Sequence, residues 1–261
     1  MERPAPREAE VTWRDGDVPV STRYAEAYFG DADALAEARH VFVDGNDLPA
    51  RFRRARPRDG VPPRFQIAEL GFGTGLNALA AAAEWRAAGR AGMLRHTAFE
   101  AHPMSAGDMA RALRPWPELA PLARVLVEAW AAGERLIALP GSEGGVEIEV
   151  IEGDARETLP RWRGAAEAWF LDGFSPARNP ELWEPALLAA LVEISAPGAT
   201  LSTYSAAVGP RATLAAAGFG VERAPGFGRK KHMTRARLPG TGLPEGGTAP
   251  GSAAIELGAA T

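Results

Sequence analysis

The sequence contains no cysteine, which excludes disulfides, thiolate zinc sites, iron–sulfur clusters and every mechanism built on a cysteine nucleophile. Histidine is scarce too. His40, His96, His102 and His232 are scattered along the chain, so no dedicated metal centre is expected. No run approaches the roughly 18 uninterrupted apolar residues that a membrane span needs. The first ten residues carry charges and two prolines around no apolar core, unlike a secretory signal. These absences point to a cytoplasmic protein with no membrane partner. Lysine is almost missing, with Lys230 and Lys231 the only two among 29 basic residues.

What is present is an ordinary globular composition: 261 residues, 46% apolar and 24% charged. Wholesale disorder and fibrous folds are thereby excluded. A formal net charge of −4 argues against a nucleic-acid partner, but the distribution matters more than the sum. Arg51, Arg53, Arg54, Arg56 and Arg58 form one basic cluster. Arg229, Lys230, Lys231, Arg235 and Arg237 form another. Either cluster alone reads as solvated surface; a phosphate-contacting role needs a second reason.

The hydrophobic pattern alternates between the two regular structures. Strands are expected at 64–70, 94–99, 146–151, 168–171 and 200–204, with closing strands at 220–223 and 231–238. Helices are expected at 75–90, 117–132, 155–163, 180–194 and 210–217. Such alternation predicts an α/β fold, a mostly parallel sheet with helices on both faces and an antiparallel closing strand. Residues 1–60, with an aromatic patch at Tyr24, Tyr28 and Phe29, read as an N-terminal cap of the same domain. Residues 61–238 are the core, and 239–261, rich in Pro, Gly and Ala, read as a flexible tail.

The strongest local signal is Glu69-Leu70-Gly71-Phe72-Gly73-Thr74-Gly75 where the first core strand meets its helix. Glycines there let backbone approach a ligand, and a helix N-terminus offers unpaired N–H groups. A dinucleotide fingerprint requires a third glycine at position 76 and an acid about 20 residues on. Here position 76 is Leu, and the acid closing the second strand is Glu100, 29 positions after Gly71. NAD is disfavoured on both counts. An acid and glycine loop followed by a second-strand acid resembles the cofactor site of class I S-adenosylmethionine-dependent methyltransferases. That resemblance implies S-adenosyl-L-methionine as cofactor, with the loop against its methionine part and the carboxylate on the ribose hydroxyls. An ionised carboxylate, an acceptor with two oxygens, suits two adjacent hydroxyls. Asp154 follows the third strand, where the family places an acid or amide near adenine; it equally suits a helix N-cap.

After the fourth strand comes Asp172-Gly173-Phe174-Ser175-Pro176-Ala177-Arg178-Asn179-Pro180-Glu181-Leu182-Trp183. A turn explains Asn179 and Pro180 but not the acid and aromatic at the strand end. FLDGFSPARNPELW, with ELGFGTGLN (69–77) and GFGRKKHM (226–233), resembles the methyltransferase half of the bifunctional enzyme that finishes 5-methylaminomethyl-2-thiouridine at the tRNA wobble position. PVSTRYAEAYF (19–29) and ALAEARHVFVDGNDLPARF (34–52) extend the match to about residues 17–238.

That family, the MnmC N-terminal or MnmD-like methyltransferases, implies methyl transfer to the primary amine of 5-aminomethyl-2-thiouridine in tRNA. By motif, Glu69, Gly71, Gly73, Thr74, Gly75, Asn77, Glu100 and Asp154 are implied cofactor positions. Asp172 is the acid beside the reacting amine. Phe174, Pro176, Arg178, Arg229, Lys230 and Lys231 are implied to face the tRNA, the two lysines through backbone phosphates. An Asp with the ordinary pKa of about 3.9 is a weak base, so Asp172 is expected chiefly to orient the amine. The bifunctional members continue into a flavin-dependent oxidase, and this sequence ends in a linker-like tail. The resemblance is therefore to the stand-alone version, with a clipped bifunctional gene as the alternative. A separate flavin-dependent oxidase, or another source of aminomethyl-tRNA, is an implied functional link. A methyltransferase for another RNA or a small amine, and a catalytically silent RNA-binding subunit, are the alternatives.

Overall fold

A computed structural model describes residues 8–14, 17–30, 33–55, 62–89, 92–140 and 144–240. Arg56, Arg58 and the tail beyond Gly240 lie outside the described residues. The core strands are β4 (Arg64–Leu70), β5 (Met93–Glu100), β6 (Leu136–Leu139), β7 (Gly145–Glu152), β8 (Ala166–Leu171), β9 (Ser195–Thr203), β10 (Gly220–Pro225) and β11 (His232–Arg237). They follow three short strands, β1 (Val11–Arg14), β2 (Val18–Ser21) and β3 (Glu26–Ala27), paired in a separate antiparallel sheet. The eight-stranded sheet runs in the order β10-β11-β9-β8-β4-β5-β7-β6. Its five central strands, β9 to β7, pair in parallel; β11, β10 and β6 join antiparallel. This is the α/β architecture expected from the alternation.

Helices α1 (Ala34–Ala38), α2 (Leu48–Arg54), α3 (Leu76–Ala87), α4 (Ala106–Leu113) and α5 (Ala120–Ala131) supply the larger of two cores. Helices α6 (Ala155–Thr158), α7 (Pro185–Glu193) and α8 (Val208–Ala216) pack the smaller core, around Trp169, Leu188 and Leu201. Side chains alternate along each strand, so β8 sends Phe170 to one core and Trp169 to the other. Both faces of the parallel strands are thereby covered, as parallel sheets require.

The helix expected over 180–194 is in fact a 3-10 turn, Pro180–Trp183, followed by α7. Glu184 between them is extended (φ −59°, ψ 137°) because the ring of Pro185 excludes the α region for the residue before it. The expected 155–163 helix likewise passes into a 3-10 turn, Leu159–Arg161, around Pro160. The helix α4 and the strand β6 were not read from the pattern. Both are short, and α4 is marked chiefly by its Ser105 cap, which accepts a hydrogen bond from the Asp108 N–H.

The chain lays β4, β5 and β7 outward in one direction, then returns to place β8 and β9 on the other side of β4. At such a switch point the loops leaving the C-terminal ends of neighbouring strands diverge and open a crevice.

Candidate active site

The crevice is a cavity of about 890 Å³ at the C-terminal ends of β4, β5, β7 and β8. Its wall includes Gly71 to Thr74, Asn77, Glu100, His102, Asp154, Asp172 and Phe174. From the N-terminal segment come Arg23, Tyr24, Glu26 and Tyr28, and from the far edge Tyr204 and Lys230.

The glycine loop is shaped by close approach. Gly71 has φ +87°, and a Cβ there would lie 2.5 Å from the backbone oxygen of Asp172. Only glycine lets the loop pass so near the next strand end. Glu100 braces the same loop: its Oε2 accepts from the N–H groups of Phe72 (2.9 Å) and Gly73 (3.0 Å). Its Oε1 accepts from His102 N–H at 2.7 Å. The carboxylate assigned to a ligand from sequence thus also fixes the loop's own backbone.

Two of the cofactor positions implied by the loop motif, Gly75 and Glu69, do not reach the cavity. Gly75 packs inward, where a Cβ would meet Leu126 at 2.9 Å and Phe72 at 3.0 Å. Glu69 is 0% exposed and sits behind the wall. The Asn77 amide nitrogen donates to Glu69 Oε1 at 2.7 Å and to Asp172 Oδ2 at 2.6 Å. His96 Nε2 lies 2.7 Å from Glu69 Oε2, and burial holds His96 neutral, its pKa lowered to about 3. Glu69 therefore meets the site through Asn77, not by touching a ligand.

Asp172 follows β8 directly. Burial first, and then the neighbouring charge of Glu69, push its pKa up to about 7, against opposing effects of Asn77 and Lys230. The sequence expectation of a weak base rested on the ordinary value and does not describe this carboxyl. The sign for stability follows. Between about pH 4 and 7 the folded chain holds a proton at Asp172 that the unfolded chain has released, so this group costs stability progressively as pH rises. Asp172→Asn is expected to raise the melting temperature at pH 8 and to change it little near pH 4. Calorimetry at both values checks this, and equal shifts at the two would contradict it.

Asp154 does what the simpler sequence reading allowed: it caps α6, accepting from Arg156 N–H at 2.9 Å. The Arg156 side chain also hydrogen-bonds its carboxylate and holds its pKa below the usual range. It still lines the cavity. Phe174 stacks on Tyr24, ring centroids 4.6 Å apart, and meets the edge of Tyr28 at 5.1 Å. Glu26 of β3 accepts from the N–H and hydroxyl of Ser175 at 3.1 and 2.7 Å, tying the post-β8 loop to the N-terminal segment. Tyr24, Glu26 and Tyr28, with Arg23, His102 and Tyr204, are wall residues that sequence reasoning missed. The aromatic patch was visible, but nothing local told where it folds. Pro176 and Arg178 lie outside the cavity wall, Arg178 exposed.

Several described members of the basic clusters are engaged within the fold. Arg51 donates to Thr200 Oγ1 (2.6 Å) and to the Glu167 carbonyl (3.0 Å), at the opposite end of β8 from Asp172. Arg235 and Arg237 face Asp47 at 3.2 and 3.5 Å. Lys230, expected to reach phosphates, lies exposed at the cavity wall, where its Nζ pairs with Glu37 Oε1 at 2.9 Å and lies 3.9 Å from the Tyr204 ring centroid. Arg229 and Lys231 are exposed beside it. Among the described residues no cluster of His, Asp or Glu could hold a metal ion, and no helix is long and apolar enough to cross a membrane.

With this geometry in view, the chain can be compared with known proteins. A family described as S-adenosyl-L-methionine-dependent methyltransferase matches residues 117–239. The tRNA 5-methylaminomethyl-2-thiouridine biosynthesis bifunctional protein MnmC of Caulobacter sp. (strain K31) is 45% identical over 244 residues, covering 90% of this chain and 39% of that protein. Its counterpart in Caulobacter vibrioides is 44% identical over 234 residues, covering 88% and 38%. The chain thus spans less than two-fifths of the length of either relative. The crystal structure of MNMC2 from Aquifex aeolicus superposes with a TM-score of 0.68 at 24% identity, covering 93% of this chain and 75% of that one. At that identity the likeness is one of fold.

Proposed function

The chain belongs to the S-adenosyl-L-methionine-dependent methyltransferases, and from that premise we propose that it methylates the primary amine of 5-aminomethyl-2-thiouridine in tRNA, giving 5-methylaminomethyl-2-thiouridine. The relatives named for the biosynthesis of that product support the substrate. The observation that carries the chemistry is Asp172, a carboxyl with a pKa of about 7 at the cavity wall beside an aromatic pair.

The residues present fit the cofactor. Gly71 and Gly73, both at positive φ, turn bare backbone along the wall of the cavity, and the Glu100 and Asp154 carboxylates stand on the same wall. When bound, S-adenosyl-L-methionine supplies an electrophilic methyl group. Gly71 to Thr74 and Asn77 would hold its amino-acid part, Glu100 its ribose hydroxyls and Asp154 its adenine. Glu69 and Gly75, behind the wall, serve the loop instead.

An amine attacks only with a free lone pair, and an alkyl ammonium has a pKa near 10 (about 10.4 for lysine). Asp172 accepts the amine proton, and a carboxyl poised near neutrality suits a general base. Phe174 and Tyr24 offer the ring faces on which a uracil can stack. Arg23, Arg178, Arg229 and Lys231 give the rim its positive charge, and phosphate contacts there would position the RNA without specifying sequence. The aminomethyl substrate itself is supplied by a different activity, which we take to be a flavin-dependent oxidase.

Nucleoside mass spectrometry of aminomethyl-containing tRNA, after incubation with the chain and S-adenosyl-L-methionine, tests the proposal. One methyl gained on the aminomethyl uridine is expected. Methylation of the free nucleoside but not of tRNA would assign the chain to small amines instead. The two lysines should separate: Lys231→Ala is expected to reduce the log–log salt slope of tRNA binding by up to about one unit. Lys230→Ala should leave that slope nearly unchanged, since its ammonium is already paired with Glu37. Filter binding across a salt series reads both, and an unchanged slope for Lys231→Ala removes it from the phosphate contacts.

A further inference from the structure

Glu69 presents a buried acid without an evident counter-charge. It is 0% exposed, and among the described residues no lysine or arginine pairs with it. Its polar neighbours are His96, which burial keeps neutral, and the Asn77 amide. His96 closes the chain, because its Nδ1 finds no hydrogen-bond partner. A carboxyl so placed is costly to ionise and is not needed to fill the core. What distinguishes its position is Asn77. That single amide nitrogen reaches Glu69 Oε1 at 2.7 Å and Asp172 Oδ2 at 2.6 Å, spending both its hydrogens on the two acids.

We propose that Glu69 is a positioning residue that, through the Asn77 amide, sets the charge state of Asp172, the two carboxyls sharing one proton near neutral pH. The inference rests on the reading of Asp172 as the proton acceptor. Two acids clamped to one amide, one of them fully buried, repel each other's second charge. The proton the pair retains lies on one side or the other of Asn77. When Glu69 is ionised, Asp172 holds its proton more tightly, and this makes Asp172 a stronger base than an ordinary aspartate. The other charged and titratable groups facing Asp172 are Lys230, which favours its ionised form, and Glu37, which opposes it. Tyr204 stands nearby, held neutral by burial. Burial first, and then the charge of Glu100 on β5, raise the Glu69 carboxyl well above its ordinary range, against the Asn77 hydrogen bond.

A carboxyl 13C NMR titration of the full chain, without cofactor or RNA, tests this in the wild type and in Glu69→Gln. Asp172→Asn identifies the Asp172 signal. Glutamine keeps an oxygen for Asn77 and removes the charge. The Asp172 midpoint is expected to fall by about one pH unit, and the acid limb of single-turnover methylation should move the same way. An unchanged midpoint in a folded Glu69→Gln protein overturns the inference, even with activity reduced. If Glu69→Gln does not fold, the wild type decides. Strongly coupled acids titrate in two macroscopic steps, so a single inflection at Asp172 overturns it as well. A shifted midpoint in a protein that leaves aminomethyl-tRNA unmethylated would retire the substrate reading and leave the coupling standing.

Discussion

Asp172→Ala is expected to slow single-turnover methylation of aminomethyl-tRNA by at least about 10²-fold, with little change in cofactor affinity. On the proposed reading, the alanine removes both an acceptor for the amine hydrogens and a carboxylate at the cavity wall that can take a proton from them. Asp172→Asn divides these roles, since it keeps an oxygen and the shape and loses the base. With an ordinary carboxyl the Asn variant would retain much of the activity. The raised pKa of about 7 changes that expectation. The Asn variant should fall close to Ala at pH 7 and recover as pH climbs toward the amine's own pKa, about 10. Wild-type rates should rise through about pH 7 and then level. Wild-type turnover in Ala would remove Asp172 from the chemistry, and an Asn variant with the wild-type pH profile would reduce it to an orienting group.

Glu100→Ala should weaken S-adenosyl-L-methionine binding by about 10²-fold or more. Charge-assisted hydrogen bonds contribute about 1.5–3 kcal/mol each, and here the carboxylate has a second duty. It holds the N–H groups of Phe72, Gly73 and His102, so its removal also loosens the loop that must meet the ligand. Glu100→Gln keeps one acceptor oxygen for the loop and should lose less. Calorimetric titration separates the cases. An unchanged dissociation constant in Ala rules out both duties, and Gln as weak as Ala assigns the effect to the charge and not to the brace.

Elements and motifs that are local in sequence were legible, and those assembled from distant segments were not. The sheet could be read because each parallel strand is a short apolar run bounded by turns. The glycine loop, Glu100 and Asp172 could be placed because each stands at the end of such a run. The pattern gives the register of Glu69 on β4 but not its depth behind the wall. Depth depends on how α3 lays Asn77 between two strands. The direction of Lys230 is settled by Glu37, 193 positions earlier, and the partner that stacks on Phe174 is Tyr24. No window of sequence contains either pair. The basicity of Asp172 combines burial, a hidden acid and an amide, and a motif records none of these.

The tie between Glu26 and Ser175 bears on how the gene can be dissected. Residues 117–239, the stretch the family description matches, include Asp172 and Phe174 but exclude the glycine loop, Glu100 and β4. A shorter deletion is almost as damaging: removing residues before 30 keeps every cofactor motif but takes away Tyr24, Tyr28 and the Glu26 carboxylate that anchors the loop after β8. Such a fragment would retain the stretch the family description matches and lack the cavity wall that Tyr24, Glu26 and Tyr28 supply. Boundaries chosen from motif matches alone would yield a protein that keeps the glycine loop and Glu100 but has lost the part of the cavity wall built by Tyr24, Glu26 and Tyr28.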